Sequence, residues 1–89
     1  MANPIAVTLK PDEPFDVGGR LTMLVTELAD KWLSPDRAPI PKAKILLITR
    51  HRQQFIELTT HDPKASWRPY EFWYLGRSRS EVRLSIKRT

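Results

Sequence analysis

Five of the chain's eight aromatic residues fall within residues 65–79. They are Trp67, Tyr70, Phe72, Trp73 and Tyr74, with Arg68, Arg77 and Arg79 among them and Lys64 just ahead. As a strand over 67–75, the segment places Tyr70, Phe72 and Tyr74 on one face. Glu71, Trp73 and Leu75 take the other, because successive side chains point to opposite sides. Apart from Glu71, both faces are aromatic or apolar, so the strand needs cover on two sides. A chain of 89 residues has a thin margin of buried surface. If one helix covers one face, some of these rings are exposed or meet a partner.

The flanking segments read mostly as strands. In residues 4–10, Ile5, Val7 and Leu9 alternate with polar or small residues, as in a half-buried edge strand. The prolines at 11 and 14 end it. Residues 19–33 carry Leu21, Leu24, Val25, Leu28 and Trp32 at helical spacing, which predicts one amphipathic helix. Asp16 would be its N-cap, Glu27 with Lys31 an i,i+4 pair, and Ser34-Pro35 its end. The competing reading is a strand over 20–26, favoured by Thr22, Val25 and Thr26. Residues 36–41 form a proline-rich connector. Residues 43–60 read as two strands, the first apolar on both faces at Ile45 to Ile48. Thr49 to Gln53 between them lacks Gly, Asn or Pro, so a wide loop or a bulged strand is expected. Turns are read at 61–64 and 76–80, and Val82, Leu84 and Ile86 alternate with Arg83, Ser85 and Lys87 in a last strand. The expected fold is therefore α+β: a single domain over residues 1–89, in the order β-α-β-β-β-β. One helix covers a mostly antiparallel sheet of four to five strands. An all-β small barrel is the alternative.

Charge narrows the function classes. The formal net charge is +5, carried by the second half: residues 42–89 hold eleven basic residues against four acidic ones. A field of this sign favours polyanions. There is no cysteine, which excludes disulfides, thiolate metal sites and a cysteine nucleophile. Residues 1–7 have no basic start and no long apolar stretch, so no leader peptide is read there. The longest apolar run, Ile45 to Ile48, is far below the ~18 residues a membrane span needs. The expectation is a soluble, cytoplasmic chain with no membrane partner.

Catalytic patterns are sparse. Two histidines, His51 and His61, ten residues apart, do not make a zinc ligand set, and no metal or cofactor is expected. No Gly-x-Ser-x-Gly elbow is present, and Glu57 and Glu71 among bases read as ion-pair partners. Gly18-Gly19-Arg20 before a helix would suit a phosphate, although the full glycine-rich spacing is missing. The expected function is a noncatalytic basic binding module. It contacts single-stranded nucleic acid or RNA through a sheet face of Arg50, Arg52, Arg68, Tyr70, Phe72, Trp73, Arg77 and Arg79. The alternative is a small accessory, adaptor or inhibitor protein docking on an acidic protein partner through the same rings, or on a second copy.

Overall fold

The computed structural model describes residues 4–32 and 34–88. Residues 1–3, part of the N-terminal stretch read above, and Leu33, in the predicted helix, lie outside the described residues, as does the Lys31 side chain.

Eight strands follow one another: β1 Ile5–Leu9, β2 Phe15–Val17, β3 Leu21–Lys31, β4 Ile40–Ile48, β5 Gln53–Thr59, β6 Lys64–Trp67, β7 Tyr70–Arg77 and β8 Val82–Arg88. They make two antiparallel sheets, ordered β1-β8-β7-β6 and β2-β3-β4-β5. The first sheet presents Val7, Leu9, Phe72, Val82, Leu84 and Ile86 inward, with Trp67 and Tyr70 at one end. The second presents Leu21, Met23, Val25, Ala43, Ile45, Leu47 and Leu58, and all of these join one core. Alternation along each strand does the sorting. In β8 the residues between the core positions, Arg83 and Ser85, face out, and in β4 the inward pair is Ile45 and Leu47 rather than Leu46 and Ile48.

The α+β expectation is corrected here. Among the described residues there is no helix, and none long and apolar enough to cross a membrane. The predicted helix over 19–33 is the long strand β3. The barrel alternative is corrected too, because each sheet ends in unpaired edges: β1 and β6 in one, β2 and β5 in the other.

A β-bulge produces the helix-like spacing in β3. Val25 pairs with Ile45 and Glu27 with Lys44, so Thr26 is an extra residue. Its hydroxyl donates to the Lys44 carbonyl at 3.2 Å. Inward positions run 21, 23, 25 before the bulge and resume at Leu28 beyond it. Leu21, Val25 and Leu28 thus fall inward at spacings of four and three, which imitates a helical stripe. Glu27 pairs with Lys42 on the neighbouring strand at 3.2 Å.

A second bulge sits in β7. Tyr74 pairs with Leu84 and Gly76 with Arg83, leaving Leu75 extra and 52% exposed. Beyond it Arg77 lies opposite Val82, a core residue, and so turns inward. The two bulges aim Asp30 and Arg77 at one another across the sheets. The Arg77 Nη2 donates to Asp30 Oδ1 at 2.6 Å and to the Ala29 carbonyl at 3.0 Å. The Arg77 side chain is only 12% exposed, that of Asp30 49%.

With the guanidinium nearly buried and the carboxylate half exposed, this charge-assisted contact couples its partners more than a fully exposed pair does. Asp30→Ala and Arg77→Met should each lower the urea midpoint, and a double-mutant cycle should return a coupling of about 1–2 kcal/mol. A coupling near zero would remove the clasp. Burial raises the phenol of Tyr74 above its ordinary 10.0, with the Arg77 charge acting in the opposite direction. The folded state then holds that proton more tightly than the unfolded chain. Its contribution is complete below pH 10.0 and is lost as the pH rises further. Tyr74→Phe should flatten the alkaline fall of the urea midpoint above that pH.

Candidate functional site

The chain's basic side chains are not spread evenly over the sandwich. Three connectors and the end of β8 come together at one end. They are residues 18–20 between β2 and β3, 49–52 between β4 and β5, and 68–69 between β6 and β7. Together they carry Arg20, Arg50, His51, Arg52, Arg68 and Arg88, with no carboxylate among them. The other four connectors hold five acids, Asp12, Glu13, Asp36, Asp62 and Glu81, against three cations, Lys10, Arg37 and Arg79.

Local chemistry builds each part of the basic end. Gly18 and Gly19 take φ of +62° and +75°, a pair of left-handed residues that non-glycine side chains resist. The Asp16 carboxylate accepts from the Gly19 N–H at 3.1 Å and fixes the turn that carries Arg20. The 49–52 loop has no glycine; a threonine closes it instead. The Thr49 N–H donates to the Arg52 carbonyl at 2.8 Å, and the Thr49 hydroxyl accepts from the Arg52 N–H at 3.2 Å. Arg50 and His51 stand exposed at its tip. Thr59 closes the 60–63 loop by the same two bonds, to Asp62. Arg68 and Pro69, joined by a cis peptide, link β6 to β7.

Between these connectors lies an open cleft of about 770 Å³, lined by Arg20, Arg50, His51 and Arg88 and floored by Pro69 and Tyr70. None of the three arginines lies within ion-pair distance of a carboxylate among the described residues. That differs from Arg77, held by Asp30, from Lys42, held by Glu27 and Glu57, and from Lys64, held by Glu71. Three cations lining one cleft share a field that attracts anions. Planar guanidinium groups suit the oxygen pairs of phosphate.

The residues expected to form a single binding face are distributed as follows. Arg50 and Tyr70 line the cleft. Arg68 borders a second cleft of about 560 Å³ that shares Pro69 and Tyr70 with it and is also lined by Glu71. Arg52 lies over the Trp67 ring, 4.8 Å from its centroid. Phe72 is wholly buried, stacked near Tyr70 with ring centroids 6.2 Å apart. Trp73 is on the outer face of the first sheet, 42% exposed, with Lys64 5.0 Å from its ring centroid. Phe55 is on the outer face of the second sheet, under Lys44 at 4.9 Å, so Trp73 and Phe55 share no surface. Arg77 is in the Asp30 clasp, and Arg79 is in the exposed 78–81 connector. Tyr70 and Phe72 thus point into the core with the inward face of β7.

Arg20, His51 and Arg88 were not among the expected site residues. The Gly18-Gly19-Arg20 run was the one sequence signal for the first of them; it serves in a hairpin turn rather than at a helix start. Nothing in the local sequence around Arg88 brings it to Arg20. Sheet pairing sets Arg88 opposite Tyr70, and both then line the same clefts as Arg20. Among the described residues no group of three or more potential metal ligands is assembled. No family model, no curated protein and no solved structure matches the chain.

Exposed, unpaired arginines contribute little to folding. Arg20→Ala, Arg50→Ala and Arg88→Ala should each shift the unfolding free energy by no more than about 0.5 kcal/mol. Inorganic phosphate should raise the melting temperature of the wild type by mass action, and by less in each variant. Equal stabilisation of all four proteins would dissociate the anion from the cleft.

Proposed function

We propose that this chain is a noncatalytic binding module for single-stranded nucleic acid, holding phosphates against Arg20, Arg50 and Arg88. The observation that carries the reading is that these three arginines, from three separate elements, line one cleft that no carboxylate side chain of the described residues lines. Phosphate contacts supply most of the affinity in such modules and make it fall with salt. The residues lining the cleft include one histidine and no acid, so a proton-transfer pair is not assembled there. Arg52 and Arg68, beside the cleft, extend the positive track along which a strand would run. A cysteine-free chain of this kind suits a reducing compartment, and we place it in the cytoplasm.

One observation favours the second reading, a protein-docking accessory factor. Leu24, Leu46 and Phe55 form an apolar row across the outer face of β3, β4 and β5, with Phe55 49% exposed. Exposed apolar rows of this sort mark contacts with other proteins.

Fluorescence anisotropy of a labelled mixed single-stranded oligonucleotide, titrated at several salt concentrations, separates the two. Binding should weaken steeply with salt. Arg50→Ala or Arg88→Ala should reduce the slope of log K against log salt by about 0.7 for each phosphate that the variant no longer neutralises. Arg79→Ala, in a different connector, should leave the slope unchanged. Absence of binding at low salt overturns the nucleic-acid reading and leaves the apolar row as the surface to pursue.

A further inference from the structure

Beside the arginine cleft lies a smaller one with different walls. It measures about 170 Å³ and is lined by Ile5, Val17, Gly18 and Ile86, with Arg20, Tyr70 and Arg88 shared between it and the larger cleft. An apolar cavity of about 150 Å³ accommodates one benzene-sized ring. Gly18 adds no side chain to its wall, and the space where a Cβ would stand has no atom within 4 Å. A half-open, mostly apolar pocket of about ring size thus has two arginines, Arg20 and Arg88, among its lining residues. Charge alone would accept any polyanion; the pocket adds a demand for a flat ring next to the anion.

We infer that the small pocket holds one pyrimidine base, out of its stack, while the phosphate of that nucleotide lies against Arg20 and Arg88. The inference rests on the nucleic-acid reading above and deepens it. Bases in a duplex are stacked and paired and present no free ring, so the site selects a single strand or a free nucleotide. The outer rings stand apart from the arginine cleft: Trp73 and Phe55 lie half-exposed on opposite outer faces, each with a lysine near its ring. The base is held within the sandwich end, between the start of β1, the β2–β3 turn and the end of β8, rather than spread on a sheet face.

The test uses the full chain and two strands of equal phosphate count, a 5′-phosphorylated pentathymidylate and the same pentamer with every base removed. By competition anisotropy the abasic strand should bind roughly tenfold more weakly, as expected for one buried base. Ile5→Phe, at the half-exposed rim, should bring the intact strand down to the abasic level and leave abasic binding unchanged. Trp73→Ala should leave the ratio as it is. Equal affinity of the two strands, or a ratio that Ile5→Phe does not change, overturns the base pocket while the arginine reading stands. A ratio abolished in Trp73→Ala also overturns it, by moving the base to the outer face. Failure of both strands to bind overturns both readings. Thymidine monophosphate separates the sources: competition as strong as the pentamer's supports the pocket and makes a free nucleotide its ligand, whereas much weaker competition supports the pocket on a strand.

Discussion

Each strand of a two-sheet sandwich must send alternate side chains into one shared core, and a single extra residue reverses that alternation beyond it. This chain uses the reversal twice. The extra Thr26 in β3 turns Leu28 and Asp30 inward, and the extra Leu75 in β7 does the same for Arg77. Without either bulge, one member of the Asp30–Arg77 pair would face solvent. The pair joins the sheets where the apolar core gives way to polar residues. Its cost is visible in the Arg77 Nε, which is buried without a hydrogen-bond partner among the described residues.

With that end tied by a matched pair, Arg20, Arg50 and Arg88 stand at the other without an ion pair among the described residues. The contrast carries the functional argument, because it separates arginines that hold the fold from arginines that the fold merely displays. Charge count alone cannot make this distinction: Arg77 and Arg50 are equivalent in a net charge of +5. Burial and partners distinguish them, since Arg77 has a carboxylate at 2.6 Å and Arg50 stands at an exposed loop tip. Aromatic residues divide in a similar way. Phe72 and Tyr70 fill the core, while Trp73, Phe55 and Trp67 each take a cation against the ring. An ammonium or guanidinium over a ring shields apolar surface and weakens the tendency of a sheet face to self-associate.

Much of the strand content was legible, because alternation at Val7 and Leu9 or at Val82, Leu84 and Ile86 has one simple meaning. The segment 19–33 was not, since its bulge makes a strand read at near-helical spacing. The local β preference of Thr22, Val25 and Thr26 was present in the sequence, but periodicity outweighed it. The absence of glycine at 49–52 argued against a tight hairpin there. The Thr49 hydroxyl does the closing, a bond that turn statistics built on glycine and asparagine do not register. For the site, Arg50, Arg68 and Tyr70 were legible as a local cluster of charge and aromatic surface. Arg20 and Arg88 were not, being 68 positions apart in the sequence and joined only through the order of the strands.

The way Thr49 closes its loop separates shape from specificity. The bonds that shut the hairpin run between Thr49 and Arg52 through backbone atoms and one hydroxyl. Neither Arg50 nor His51 takes a left-handed conformation, so the tip places no demand for glycine on those two positions. The side chains facing the cleft from this loop can therefore be exchanged without rewriting the turn beneath them. On such a frame, ligand preference can drift at two exposed positions while the sandwich that presents them stays the same.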